Sequence, residues 1–315
     1  MNADRHNLPA GTVLHQHYTI EKTLSAGGFG VVYFDIDASS KLFVVIKEYL
    51  PTKIAGRNDD GQITLLSGEH RERFNEGRKL FIHEANALRK FDHPTIVKVI
   101  NYFEANNTLY MVMDFKPGEN LQTYIQKRSG NLSETLLLTI FPPLLEGLRQ
   151  VHMASMLHLD IKPGNIHIQP GGDPILLDFG GVHRMKMSRQ FQPKSVITPG
   201  FSPVEQYNAK GYIGPWTDLY AIGATMRACI EGVAPPDAKQ RSEKDTMRPA
   251  AVAFKRKYSA TFLQAIDWAM EIDPTLRPQT VDDLLASFDQ CMADGQYDKR
   301  PTVFNRLMNL ALGQK

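Results

Sequence analysis

The chain changes character at Lys116-Pro117-Gly118. Before that point, residues 31–36, 41–46, 96–103 and 108–115 are rich in β-branched and aromatic side chains and read as strands. One helix interrupts them: Phe74, Phe81, Ala85 and Leu88 share a helical face, and Ser67 suits a cap ahead of it. Beyond it, residues 121–128, 133–155, 216–231, 261–270 and 281–291 read as helices. Asp282 and Asp283 suit the positive end of the last helix dipole, and Pro142-Pro143 predict a kink or break in the second. A strand-rich segment with one main helix, followed by a mostly helical segment, is an α+β pattern.

With 315 residues, 42% of them hydrophobic, the chain has apolar material for a sizeable core. Lys+Arg total 36 against 34 Asp+Glu, a formal net charge of +2, which gives no reason to expect nucleic acid or a membrane surface as a partner. Cys229 and Cys291 lack metal-ligand spacing and read as reduced core thiols. The polar start MNADRHNLPAGTV has no apolar signal core, and no stretch is long and apolar enough to span a bilayer, so a soluble cytoplasmic protein is expected.

Four segments carry chemistry. Leu24-Ser25-Ala26-Gly27-Gly28-Phe29-Gly30-Val31-Val32 is a glycine-rich turn between strands, where the backbone can approach phosphate oxygens. Taken alone it is weak, since such a segment is more often just a turn. Val44-Val45-Ile46-Lys47 ends an apolar strand on a cation, which is costly unless its charge is paired. Glu84, on the helix that follows, is the best partner. His158-Leu159-Asp160-Ile161-Lys162-Pro163-Gly164-Asn165 and then Leu176-Leu177-Asp178-Phe179-Gly180 place two carboxylates and an amide within a short span. Phosphoryl transfer needs that set, with one carboxylate to orient a hydroxyl and another plus an amide to hold a metal ion.

In this order the motifs resemble eukaryotic-type Ser/Thr protein kinases, over about residues 18–291. The resemblance implies a bilobal protein kinase fold, with a β-rich N-lobe over about 18–115 and a mostly α-helical C-lobe over about 116–291. Residues 1–17 are then an N-terminal extension and 292–315 a C-terminal tail. It implies an ATP-dependent enzyme using Mg2+, with Mn2+ as an alternative, that phosphorylates Ser and Thr of protein substrates and of itself. By the same resemblance Leu24, Gly27, Gly28, Gly30, Val32 and Val45 surround ATP. Lys47 contacts the α/β-phosphates and pairs with Glu84. Met113 is the gatekeeper, Asp114 and Lys116 lie in the hinge beside adenine, and His167 takes the place of an apolar floor beneath it. Asp160 is the catalytic base, Lys162 neutralises the γ-phosphate, and Asn165 and Asp178 are the metal ligands.

Thr198-Pro199-Gly200-Phe201-Ser202-Pro203-Val204-Glu205 resembles the end of an activation segment, with Glu205 expected to pair with Arg277 and Asp218 to anchor the catalytic loop. Lys162 and Thr198 resemble the Ser/Thr rather than the Tyr subtype, and Lys47-Glu48-Tyr49-Leu50-Pro51 resembles a bacterial group. Residues 54–69 make a surface excursion around the turn Asn58-Asp59-Asp60-Gly61; it is either decoration or a contact surface that steadies the Glu84 helix. Ser25 replaces the first glycine of the loop, and Leu159 replaces the arginine that reads an activating phosphate. Activity independent of phosphorylation at Ser188, Ser195 or Thr198 follows. The alternative reading is a pseudokinase, a nucleotide-binding or docking module, against which the joint presence of Lys47, Glu84, Asp160, Asn165 and Asp178 counts. A small-molecule kinase would lack the 198–205 segment. In the tail, Val303, Leu307 and Leu310 share the face of a short amphipathic helix.

Overall fold

The computed structural model describes residues 7–179, 183–184, 197–208 and 211–294. The chain divides into two compact units, Met1–Asp92 with Val97–Lys116 and His93–Ile96 with Pro117–Lys315.

The first unit runs β1 (Val13–Leu14), β2 (Tyr18–Ala26), β3 (Gly30–Asp37), β4 (Phe43–Tyr49), β5 (Ala55–Arg57), β6 (Ile63–Leu65), α1 (Arg71–Leu88), β7 (Val99–Ala105) and β8 (Thr108–Asp114). Six of these strands form an antiparallel sheet in the order β1-β2-β3-β4-β8-β7, and β5 and β6 form a separate hairpin. Strand alternation sorts the side chains: Val31, Tyr33, Val44 and Ile46 are buried, while Val32, Val45 and Lys47 between them are only partly covered. Residues 8–14 belong to this unit, since β1 pairs with β2 and Leu8 and Leu14 are buried. The strand expected from residue 96 starts only at Val99, because Ile96 bridges to Leu176 in the second unit.

The 54–69 segment is more than a surface excursion. Its Asn58 to Gly61 turn closes as expected, with the Asn58 side chain accepting from the Gln62 N–H at 2.8 Å. Yet Ile54, Ala55 and Ile63 are buried, and Arg57 donates to Glu48 at 2.5 Å. Glu48 is fully buried on β4 and also accepts from the hydroxyls of Tyr33 (2.8 Å) and Tyr110 (2.6 Å). A buried carboxylate is tolerated only when paired and hydrogen-bonded, so the hairpin supplies the cation that β4 requires. Arg57→Ala is expected to destabilise the protein by about 1–3 kcal/mol, since two tyrosine donors still serve Glu48; thermal unfolding measures this.

The second unit holds β9 (Glu119–Asn120), α2 (Leu121–Arg128), α3 (Glu134–Met153), β10 (Met156–Leu157), β11 (Ile166–Ile168), β12 (Pro174–Leu176), β13 (His183–Arg184), α4 (Pro215–Glu231), α5 (Ala238–Glu243), α6 (Ala250–Ala253), α7 (Ala260–Ala269) and α8 (Val281–Asp294). Two small sheets, β12-β11-β9 and β10-β13, lie among them. Side-chain caps from Asn120, Ser133 and Ser259 start α2, α3 and α7. Every residue of α4 from Thr217 to Ile230 is buried, which makes it the central post of this unit.

Of the kink or break expected in the second helix, the break does not occur. α3 runs unbroken through Pro142 and Pro143. An interior proline costs roughly 3 kcal/mol. Leu137, Ile140, Phe141, Leu144, Leu145 and Leu148 are fully buried around it, each contributing about 1.5–3 kcal/mol, so packing outweighs the lost backbone bonds. Cys229 and Cys291 are buried, in keeping with core thiols. No described helix is long and apolar enough to cross a membrane.

Candidate active site

Within the first unit, the residues expected around the nucleotide gather on one sheet face. Val32 pairs with Lys47 and Val45 with Met113, and directly paired residues point to the same side of a sheet. Gly27 and Gly28 turn between β2 and β3, the Gly27 N–H donating to the Gly30 carbonyl at 2.9 Å. Carbonyls of Gly28 and Phe29 accept from Thr52 and Leu50, which tethers the turn to the chain beyond β4. Leu24 is exposed near the end of β2, and Ser25, the glycine replacement, sits in the β2–β3 ladder opposite Val32. Lys47 Nζ meets Glu84 Oε1 at 3.0 Å, so the expected ion pair is formed. Lys116 Nζ lies 2.8 Å from Asp114 Oδ2 at the end of this unit.

Within the second unit, Asp160 is the hub. Its carboxylate accepts from Lys162 Nζ (2.8 and 3.0 Å), from Asn165 Nδ2 (3.0 Å) and from the Thr198 hydroxyl (2.8 Å). Lys162 also donates to Thr198 Oγ1 at 3.3 Å. A cation, an amide and a hydroxyl therefore converge on one carboxylate that is 8% exposed. Such a carboxylate is held in one rotamer, ready to orient an incoming hydroxyl. Thr198, singled out in the sequence only as a subtype marker and phosphorylation candidate, turns out to be a structural member of this cluster. A phosphate on its hydroxyl would face the Asp160 anion.

Asn165 spends its Nδ2 on the carbonyl and carboxylate of Asp160, which directs its amide oxygen elsewhere. Ile166 pairs with Leu176, and the Leu177 N–H donates to the Asn165 carbonyl at 2.8 Å, so Asn165 and Asp178 occupy the same end of the β11–β12 hairpin. An amide oxygen and a carboxylate are hard donors that fit a divalent ion of the magnesium type. Asp178 holds a left-handed backbone, φ +54, a conformation that costs of order 1–3 kcal/mol for a non-glycine residue. Phe179 after it is fully buried, its ring 4.5 Å from His158. His167 lies on β11 between Asn120 and Ile175. Gly118, at φ +142, passes so close that a Cβ there would sit 2.7 Å from His167 Nε2.

The loop carrying Asp160 is pinned from below. Asp218, fully buried on α4, accepts from the N–H groups of His158 (2.9 Å) and Leu159 (2.8 Å) and from His152 Nε2 (2.8 Å). Burial pushes its carboxyl up, but the hydrogen bonds it accepts from the His152 side chain and the His158 N–H help to overcome this and hold it below the usual range. Burial pushes the His158 imidazole down, so it is neutral. Its Nδ1 accepts from the Asp160 N–H (3.2 Å) and its Nε2 donates to the Leu177 carbonyl (3.1 Å), linking the Asp160 and Asp178 segments. Leu159 is also left-handed, φ +63, and its carbonyl accepts from Gln206 Nε2 at 3.0 Å. Where the resemblance expected a phosphate-reading arginine, its buried side chain packs with Leu157 and Ile213.

Glu205 and Arg277 pair as expected at 2.7 Å, with Thr217 donating to Glu205 at 3.0 Å. His152 and Gln206 went unnoticed in the sequence, because the partner of each, Asp218 and the Leu159 carbonyl, is far away in the chain. Gly180, Ser188, Ser195 and the amphipathic segment 303–312 lie outside the described residues.

Comparison with known proteins agrees with this geometry. The family model for the protein kinase domain matches residues 18–294. Serine/threonine-protein kinase PknA of Nostoc sp. is 31% identical over 286 residues, 87% of this chain and 47% of the relative. Serine/threonine-protein kinase D of Synechocystis sp. is 27% identical, over 88% of this chain and 53% of that one. The chain thus spans about half the length of the curated relatives it matches. A solved structure titled PpkA-294 apo form superposes with a TM-score of 0.81 at 34% identity, covering 90% of this chain and 99% of its own. The Mycobacterium tuberculosis PknI kinase domain shares the fold, with a TM-score of 0.63 at 20% identity. The chain belongs to the protein kinase domain family, among the Ser/Thr kinases of bacterial type.

Proposed function

We propose that the chain transfers the γ-phosphoryl group of ATP to Ser and Thr hydroxyls of protein substrates, itself included. The cluster of Lys162, Asn165 and Thr198 on the Asp160 carboxylate carries this reading. Asp160 accepts the hydrogen bond, and finally the proton, of the attacking hydroxyl. The new bond forms between that oxygen and the γ-phosphorus as the bond to the bridging β-γ oxygen breaks and ADP departs. Lys162 offsets charge on the transferred group, and Lys47, kept in place by Glu84, does so at the α/β-phosphates. Asn165 and Asp178 are the residues that would hold Mg2+, which supplies charge neutralisation along the phosphates. The oxygen-only donor set suits Mg2+ and Mn2+ alike, and the assay below compares the two. Val32, Val45 and Met113 offer adenine an apolar surface, and His167 takes the place of a fourth such contact.

Because Leu159 packs as an apolar side chain, no cation stands there to read an activating phosphate, and activity does not await one. The test incubates the whole chain with labelled ATP and Mg2+ or Mn2+, before and after phosphatase treatment, and maps the labelled residues. Label on Ser and Thr, an unchanged rate after phosphatase and its loss in Lys47→Ala are expected. Nucleotide uptake without any transfer would sink the enzyme reading, and a rate that collapses on dephosphorylation would sink independence from phosphate.

A further inference from the structure

Lys47, Glu48 and Tyr49 close β4, and strand alternation sends Lys47 and Tyr49 to one face and Glu48 to the other. Glu48 is locked by Tyr33, Tyr110 and Arg57, as described above. The Tyr49 carbonyl accepts from the buried Thr108 hydroxyl. The end of β4 is thus a rigid post, and both side chains on its other face reach α1.

Tyr49 reaches it at Gly77. The Tyr49 hydroxyl donates to the Phe74 carbonyl at 3.2 Å, and its ring lies 5.2 Å from that of Phe74 and 5.9 Å from that of Phe81. A Cβ on Gly77 would stand 2.7 Å from Tyr49 Cζ and nearer still to the hydroxyl oxygen. Glycine inside a helix costs about 1 kcal/mol relative to alanine, and its presence in the middle of α1 marks a close approach that a Cβ would open only by displacing the buried Tyr49 ring. Burial pushes the Tyr49 hydroxyl up to about 12, which keeps it a donor. Phe74, Gly77, Phe81 and Glu84 fall at helical spacing on one face of α1, and Lys47 Nζ lies 6.0 Å over the Phe81 ring. Glu84 is about two turns, on the order of 10 Å, beyond Gly77. Ser67 caps the 3-10 turn, Gly68–His70, that leads into α1, its hydroxyl accepting from the Glu69 N–H at 3.4 Å, while His70, the N-cap residue of α1 itself, makes no such bond.

We propose that Tyr49 and Gly77 are positioning residues that fix the height and rotation of α1, so that Glu84 meets Lys47 without help from a phosphorylated activation segment. This rests on the kinase reading. In protein kinases that ion pair must be assembled for phosphoryl transfer. Here an apolar Leu159 stands where the phosphate-reading arginine is expected, and a tyrosine wedged into a glycine gap does the assembling from inside the first unit.

The experiment compares wild type, Gly77→Ala, Tyr49→Phe and the combination of these two, each alone and with Glu84→Gln, by kcat and KM for ATP on a protein or peptide substrate and by thermal unfolding. Gly77→Ala is expected to lower kcat/KM for ATP on the order of 10²-fold, as a displacement of about 1 Å does in a positioned site. With Glu84→Gln already present, the same substitution should change kcat/KM little, because the pair it positions is gone. Tyr49→Phe, which keeps the ring and removes the hydroxyl, should retain most activity and lessen the effect of Gly77→Ala. Should Gly77→Ala fail to fold, the comparison is made with Tyr49→Leu in both backgrounds. Equal losses from Gly77→Ala in both backgrounds, or wild-type kinetics in the Gly77→Ala variant, would overturn the proposal. A wild-type chain that transfers no phosphate fails the kinase reading instead, so the wild-type arm separates the two outcomes.

Discussion

Replacing Asp160 with asparagine is expected to lower kcat about 10²- to 10⁴-fold, the usual worth of a positioned base, while KM for ATP and the unfolding temperature stay close to wild type. The side chains are nearly isosteric. The loop is held by contacts that do not involve the Asp160 side chain: Asp218 grips the His158 and Leu159 N–H groups, Asn165 donates to the Asp160 carbonyl at 2.8 Å, and Gln206 donates to the Leu159 carbonyl. What the amide lacks is the second anionic oxygen, the one that takes the proton of the attacking hydroxyl. Lys162 and Thr198 then lose part of their partner, since both donate to the carboxylate, so the γ-phosphate and hydroxyl are less well placed. Steady-state rates with labelled ATP, together with a thermal scan, check both halves of the expectation. An asparagine variant that turns over at the wild-type rate would remove Asp160 from the chemistry.

The largest stability effect is expected at Arg277. Its guanidinium is fully buried, and it donates to Glu205 at 2.7 and 3.2 Å, to the carbonyls of Glu271 (2.6 Å) and Ile272 (2.9 Å), and lies 4.8 Å over the Tyr220 ring. Arg277→Leu leaves the Glu205 carboxylate buried with the Thr217 hydroxyl but no cation. Removing one member of a buried pair costs about 3–5 kcal/mol, and for a domain of this size that lowers the unfolding temperature by on the order of 10 °C. The double variant Glu205→Leu with Arg277→Leu is expected to recover part of the loss, because no unpaired charge remains. Thermal unfolding of the three variants measures it; a single variant as stable as wild type would show that the pair is dispensable.

Much of the site was legible in the sequence because each of its short motifs packs its own chemistry into a few consecutive residues. Asp160, Lys162 and Asn165 are near neighbours in the chain, and the turn that joins them is local, so their mutual contact follows from the motif. The pairing of Lys47 with Glu84 was also readable, because a cation ending an apolar strand needs a nearby carboxylate. Thr198 was harder. It is 38 positions from Asp160, and only the folded chain brings its hydroxyl to that carboxylate.

Order and type of the elements came from side-chain periodicity, which is a property of neighbouring residues: strands before Lys116, helices after it, and a lysine, two aspartates and an asparagine at their junctions. Tertiary packing decided the rest. It carried α3 unbroken through Pro142 and Pro143, drew Arg57 of the hairpin onto Glu48, and set Tyr49 into the gap left by Gly77, 28 positions away (77 − 49). Those outcomes depend on which buried surfaces meet, and on a charge or a ring finding its one compatible neighbour, which the periodicity of side chains along the chain does not specify.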